Sequence, residues 1–306
     1  MNNFVLLTND VETTSIWHNS LRDETGIKVY KEGMPALLDL YAKYNIKSTF
    51  FFTGHIARMI PDIVKMVQPY GHEIASHGLT HELQYSFDNL SFDEQIRHLT
   101  ESKKILEDIS GDEVITFRAP AARVQKNTAL ALAETGFKID SSLSSQRFDF
   151  FLTFGNIKKL KWFTIPRIPY YTSVDNIFKR GSGSIFEIPI SAFVIAYIGT
   201  TMRIFPNLIS IIRLFLHYEN YFNKKPVVFL THPNEFIDES MEDNYVNNRS
   251  SNPIAHFLGD IIRRKLKLNN LGPKAIPIYE RHIKYFLKKK YQYLTLKDYY
   301  LQIKDA

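Results

Sequence analysis

Short runs rich in β-branched and aromatic residues recur along this chain, each followed by a longer segment with apolar residues at helical spacing. That alternation is the signature of repeated βα units around a parallel sheet or barrel. The strand candidates are Phe4 to Leu7, Ser48 to Thr53, Glu73 to Ala75, Val114 to Phe117, Phe137 to Ile139, Ile185 to Ile188, Val227 to Leu230 and Tyr291 to Leu296. Between them, Pro35 stands near one expected helix start, and Ser91 with Glu94 three residues on forms a capping box for another. With 306 residues, 44% of them hydrophobic, the chain can build one barrel-sized domain over 1–306. Segments 142–184 and 239–277 fit the alternation poorly, being respectively aromatic with prolines and polar then basic, and are read as insertions.

Several classes fall away on composition. The chain has no cysteine, which excludes disulfides, thiolate zinc sites and a cysteine nucleophile. Asn2 to Leu7 lacks a basic leader and reads as a first strand instead of a signal peptide, so a cytoplasmic protein is expected, at most at the inner membrane surface. No apolar run reaches the roughly 18 residues of a membrane-spanning helix. The net charge of +6 is concentrated in Arg263-Arg264-Lys265-Leu266-Lys267 and Lys288-Lys289-Lys290. No nucleic-acid-binding motif accompanies these runs, so nucleic acid is not an expected partner; attraction of phosphorylated sugars or an anionic membrane surface is the lesser reading, and solvated helix faces account for such charge. Ile209 to Leu216 is strongly apolar; an interfacial helix peripheral to a membrane is one reading, but the lack of a broad charged face favours core packing.

Chemistry-bearing residues gather at the C-terminal ends of the expected strands, where βα barrels place their active sites. Asp10 and Glu12 follow the first strand, two residues apart and therefore on one side of an extended segment. His77 and His81 follow the third, spaced so that a helix face or a tight turn can bring both imidazoles onto one divalent metal ion. Arg118 follows the fourth and His232 the seventh. Each alone is ordinary; together at one end of separate strands they point to a metal-dependent hydrolase.

These motifs, in this order, resemble the polysaccharide deacetylases, carbohydrate esterase family 4 with its nodulation-type deacetylase domain. Leu7-Thr8-Asn9-Asp10-Val11-Glu12 resembles the first motif in a variant Asp-x-Glu form, Ser76 to His81 the His-x-x-x-His motif, Phe117-Arg118-Ala119-Pro120 the Arg-x-Pro motif, and Leu230-Thr231-His232 the Leu-x-His motif. The resemblance implies a distorted (β/α) barrel of about seven strands. It also implies a divalent metal, zinc first, with manganese, cobalt or nickel as alternatives, held by Glu12, His77 and His81. Asp10 then acts as general base, Arg118 orients it, His232 is the general acid, and the backbone N–H of Ala121 completes an oxyanion site. Which of Asp10 and Glu12 binds the metal stays open at this stage.

The chain departs from the family pattern at Ala121, where a tyrosine is usual, and near Asp140, where the fourth motif lacks its tryptophan, leaving Asp140 a supporting residue. The function implied is removal of an N-acetyl group from an amino sugar with release of acetate, the substrate being an intracellular nucleotide-linked or lipid-linked precursor. Tyr170 and Tyr171 are candidate sugar-stacking rings. The alternatives are a deformylase of a lipid-linked amino sugar and a carbohydrate-binding barrel without turnover. The oligomeric state is not readable from the sequence.

Overall fold

Strand β1 (Phe4–Val11) is buried along its whole length and pairs on both edges, which makes it the hub of the sheet. The computed structural model describes residues 3–145, 162, 164–240 and 263–304. Chain order continues with β2 (Thr49–Phe52), β3 (Glu73–Ser76), β4 (Thr116–Phe117), β5 (Ile139–Asp140), β6 (Tyr170–Ser173) and β7 (Asn176–Arg180). It ends with β8 (Phe186–Glu187), β9 (Ala192–Phe193), β10 (Ile195–Ala196), β11 (Val227–Thr231) and β12 (Gln292–Tyr293). Seven parallel strands run in the order β11-β1-β2-β3-β4-β5-β8 and form a curled half-barrel among the described residues, with β12 also pairing parallel to β1 off this path. The β6–β7 hairpin, from the segment expected to be an insertion, extends the sheet antiparallel to β8. Residues 146–161 and 241–262 of the two expected insertions lie outside the described residues.

All eight expected strand runs lie in the sheet, but their ends differ for physical reasons. β1 continues four residues past Leu7, because the polar side chains that follow have buried partners. Asn9 Oδ1 accepts from Tyr41 Oη and Thr231 Oγ1, both at 2.8 Å, while its amide donates to Ser48 Oγ at 2.7 Å. Of Tyr291 to Leu296 only Gln292 and Tyr293 pair with β1, since Leu296 opens the last helix.

The capping box at Ser91 forms as expected: Ser91 N donates to Glu94 Oε2 at 2.8 Å and Glu94 N to Ser91 Oγ at 3.4 Å. Pro35 stands in the first turn of the helix Met34–Lys43, as expected, but that helix does not start from a loop. Helix begins at Asp23 and passes through a π turn, Val29–Gly33, before Met34–Lys43. The wider turn accommodates a proline that has no N–H to donate into the preceding turn.

Alternation along β1 divides the core. Val5, Leu7 and Val11 join the large cluster under the helices, with Leu37, Tyr41, Leu99, Tyr279 and Phe286. Phe4 and Leu6 join a smaller one with Phe51, Ala75, Ile139 and Val228, closed by Leu296, Tyr299 and Tyr300 of the C-terminal helix. Thr8 and Asp10 share the parity of Leu6, so the second face of β1 carries apolar residues first and reacting groups last.

Glu73, at the start of β3, binds that C-terminal helix to the sheet. Its buried carboxylate accepts from Thr49 Oγ1 at 2.7 Å, Thr116 Oγ1 at 2.5 Å and the backbone N–H of Lys297 at 3.0 Å. Removing it leaves buried donors unpaired, so Glu73→Ala should lower unfolding free energy by about 3 kcal/mol in urea titrations. A loss below about 1 kcal/mol would mean that this carboxylate is dispensable to the closure.

Candidate active site

Asp10 and Arg118 form the centre of the strand-end cluster. Arg118, 1% exposed, donates through Nη1 to Asp10 Oδ1 at 2.8 Å and Thr8 Oγ1 at 2.9 Å, and through Nε and Nη2 to Ser141 O and Oγ, both at 2.8 Å. Its guanidinium lies 4.2 Å from the Phe51 ring centroid. Burial works to raise the Asp10 pKa, but the Arg118 guanidinium beside it outweighs that and holds the carboxyl below its ordinary value. The Asp10 carboxylate is therefore ionised at neutral pH. Its second oxygen, Oδ2, stands 3.7 Å from His77 Nε2 and 3.9 Å from His232 Nε2, beyond hydrogen-bonding distance of either ring.

His77 and His81 meet through a turn, not a helix. The loop after β3 reverses at Gly78, whose φ of +71° suits glycine, and a Cβ there would press on Phe87 and Pro120 at 3.3 Å. Gly54 N and His55 N donate to Gly78 O and Leu79 O at 2.9 and 2.8 Å, which anchors the loop to the helix following β2. The two imidazole centroids end 5.5 Å apart.

His77 Nδ1 faces the Arg118 carbonyl at 2.9 Å and must donate to it, which leaves the Nε2 lone pair directed into the site. Burial pushes His77 down to about 4, so the ring is neutral. Among the described residues, Glu12, His77 and His81 are the group whose donor atoms all lie within 4.8 Å of one another. Glu12 Oε2 is 3.0 Å from His81 Nε2, buried and without a hydrogen-bond partner. Two imidazoles and an orphaned carboxylate oxygen fit a divalent cation, whereas Asp10 is already committed to Arg118.

The other expected site residues are placed differently. The Ala121 N–H is directed at His81 Nε2, 3.3 Å away, and not into open space; the residue is held at φ 53° in the cleft wall. Asp140 has no contact with the reacting rings. Its Oδ1 accepts from Ser142 Oγ at 2.5 Å, and that hydroxyl accepts from Ala119 N at 2.8 Å, so Asp140 props the backbone that carries Arg118. Tyr170 is 3% exposed with its hydroxyl on Ile177 O, and Tyr171 packs on Phe186. Neither lines the cleft, so the expectation of sugar stacking there fails: the hairpin that carries them adds to the sheet edge.

His232 follows β11 and faces the cleft. The residue behind it, Glu235, escaped the sequence reading. Glu235 is fully buried, ion-paired to Arg203 at 3.2 Å, and receives Thr200 Oγ1 at 2.8 Å and the backbone N–H of His232 at 3.3 Å. Gly199 permits this packing, since a Cβ there would lie 1.9 Å from Glu235 Oε2. The sequence signal was a glutamate three residues after His232, behind a proline. The cleft above all these groups has a volume of about 930 Å³, with Asp10, Glu12, His81, Arg118 and His232 at its polar end and Ile16, Leu21, Ile198, Ile204 and Phe205 along its walls.

Comparisons with known proteins bear out the resemblance. Residues 23–139 match the polysaccharide deacetylase family profile, a span that holds His77, His81 and Arg118 but not Asp10, Glu12 or His232. A peptidoglycan deacetylase of Helicobacter pylori is 27% identical over 146 residues, 45% of this chain and 49% of that protein. A peptidoglycan deacetylase-like protein of Gibberella zeae is 31% identical over 150 residues, 46% of this chain and 44% of that one. The chain thus spans about half the length of the curated relatives it matches. Among solved structures, a putative polysaccharide deacetylase from Mycobacterium smegmatis aligns over 96% of this chain and 93% of its own, with a TM-score of 0.55 and 21% identity. Puue allantoinase aligns over 96% and 88%, with a TM-score of 0.58 and 15% identity. These two show the shared fold, which is compatible with more than one substrate.

Glu187 is the buried partner of Asp140, and burial, then the charge of Asp140, raises it well above its ordinary value of 4.5. A group whose pKa is raised on folding contributes stability below its unfolded pKa and loses it as pH rises towards the folded value. Glu187→Gln, which mimics the protonated acid, should therefore match the wild type near pH 4 and exceed it at pH 7 in thermal unfolding. A variant less stable than wild type at pH 7 would show that the carboxyl is ionised there.

Proposed function

Residues 23–139 carry the polysaccharide deacetylase family match, and from that premise we propose that the protein is a divalent-metal-dependent hydrolase that removes an N-acetyl group from an amino sugar. The observation that carries the reading is the separation of two carboxylates: Glu12 lies with His77 and His81, while Asp10 is held by Arg118 with one oxygen facing the cleft. Glu12, His77 and His81 would hold the metal, zinc by preference, which supplies a positive charge to polarise the amide carbonyl and acidify water.

The chain's own groups perform the proton transfers. Asp10 Oδ2 takes a proton from the attacking water as its oxygen bonds to the carbonyl carbon. Arg118 fixes the other Asp10 oxygen and keeps the base ionised before attack. His232, 3.9 Å from Asp10 Oδ2 and held at its backbone by Glu235, gives a proton to the sugar nitrogen as the C–N bond breaks. The products are acetate and a free amino sugar. The apolar cleft walls beyond this polar end favour a sugar carried on a larger group, nucleotide or lipid, over a bare monosaccharide.

Metal content and acetate or formate release, measured on nucleotide-linked, lipid-linked and oligomeric amino sugars, test the reading. His77→Ala and Glu12→Gln should lose metal and activity together, whereas Asp10→Asn should retain metal with kcat reduced about 10²- to 10⁴-fold. Metal lost in Asp10→Asn but kept in Glu12→Gln would reverse the two carboxylates. Stoichiometric metal with no turnover on any substrate would favour the carbohydrate-binding barrel, and formate without acetate the deformylase.

A further inference from the structure

The helix from Pro206 to Asn223, called αM below, is apolar on two opposite sides. Ile209, Ile212 and Leu216 face the core, as the sequence led us to expect. Ile211, Leu214, Phe215, Tyr218 and Phe222, at spacings i, i+3, i+4, i+7 and i+11, form a second stripe on the outside. Ile211 is 55% exposed and Phe222 79%. A helix on the surface of a protein surrounded by water presents charged and polar groups outward, so this stripe requires a partner.

The surroundings enlarge the same face. The turn between β9 and β10 exposes Phe193 and Val194, and the Phe193 ring stacks on Phe215 with centroids 4.4 Å apart. Val194 is held at φ 63°, a left-handed conformation rare for a β-branched residue. Tyr221 adds a further exposed ring beside Phe222.

We propose that this face docks on an anionic lipid bilayer. Charge selects that occupant. Lys224, exposed at the end of αM, lies 5.5 Å from the Tyr221 ring centroid. The exposed run Lys288, Lys289 and Lys290 ends the neighbouring helix Ala275–Lys288, whose Tyr285 receives the Arg213 guanidinium of αM at 4.1 Å. Glu219, the one acid of αM, is taken up by Arg167 and Lys225 at 2.6 and 2.8 Å. The stripe is thus edged by lysines and its acid is neutralised, the composition of a surface helix on anionic lipid.

A second copy is disfavoured, because a two-fold contact would gather both sets of lysines around one patch. No helix among the described residues is long and apolar enough to cross a membrane, which suits a helix lying on its surface. Phe205, adjoining the first residue of αM, is 38% exposed and lines the cleft with Ile204. Docking through αM would bring the cleft beside the bilayer, within reach of a lipid-borne sugar. The docking itself does not depend on the proposed hydrolysis.

Sedimentation of the purified protein with vesicles of phosphatidylcholine, alone or mixed with phosphatidylglycerol, tests the proposal. The wild type should pellet with the mixed vesicles, less with the neutral ones, and less in high salt. Replacing Ile211, Leu214 and Phe222 together by serine should weaken binding about a hundredfold or more. Because those side chains are exposed, circular dichroism and hydrolysis of a soluble amino sugar should stay at wild-type levels. Lys224→Glu with Lys289→Glu should weaken binding to mixed vesicles at least about tenfold, and decides the matter if the serine variant fails to fold. Wild-type protein that stays in the supernatant with mixed vesicles, or variants that pellet equally, would overturn the proposal. So would a wild-type dimer that the serine variant breaks while neither form pellets. Protein that pellets but hydrolyses nothing would leave the docking intact and remove the proposed reaction instead.

Discussion

A buried guanidinium organises the site. Taking a cation out of water is costly unless its donors are paired and a countercharge is close. Arg118 meets that requirement by drawing Thr8 and Asp10 from β1 and Ser141 from the end of β5, over the Phe51 ring of β2. Its own carbonyl orients His77 from the end of β3. One residue therefore sets the register of several strand ends, and the same ion pair that satisfies the arginine keeps Asp10 charged.

The supporting layer follows the same logic with a different sign. Asp140 and Glu187 are two adjacent buried carboxyl groups, and burial raises both, Glu187 the further because of the Asp140 charge beside it. Through the Ser142 hydroxyl, which donates to Asp140 and accepts from Ala119 N, the pair braces the backbone beside Arg118. Glu235 does the corresponding work behind His232, but as an ion pair with Arg203, whose guanidinium also binds the carbonyls of Lys267 and Asn269. The acid and base proposed for the reaction thus rest on separate buried networks, and disturbing one need not reset the other.

Apolar surface is partitioned less conventionally. The two clusters on either face of the sheet account for the inward side of αM but not for its outward side, where a solvated helix would present charge. Ile204 and Phe205, just before that helix, line the cleft.

Strand period and residue type by themselves determined the βα alternation, the eight runs of the sheet and the gathering of Asp10, Glu12, His77, His81, Arg118 and His232 at strand ends, because side-chain parity and strand order act locally along the chain. They could not divide the labour between Asp10 and Glu12, since two carboxylates on one side of a strand are equivalent until Arg118, 108 positions away, claims one of them. They missed Glu235, whose partner Arg203 reaches it only through the packing of another helix. They misjudged Tyr170, which the hairpin carries into the core, and saw only one side of αM, because an apolar run does not say which residues water reaches. Exposure and pairing across long chain separations are properties of the folded surface, and the tertiary structure alone decided them.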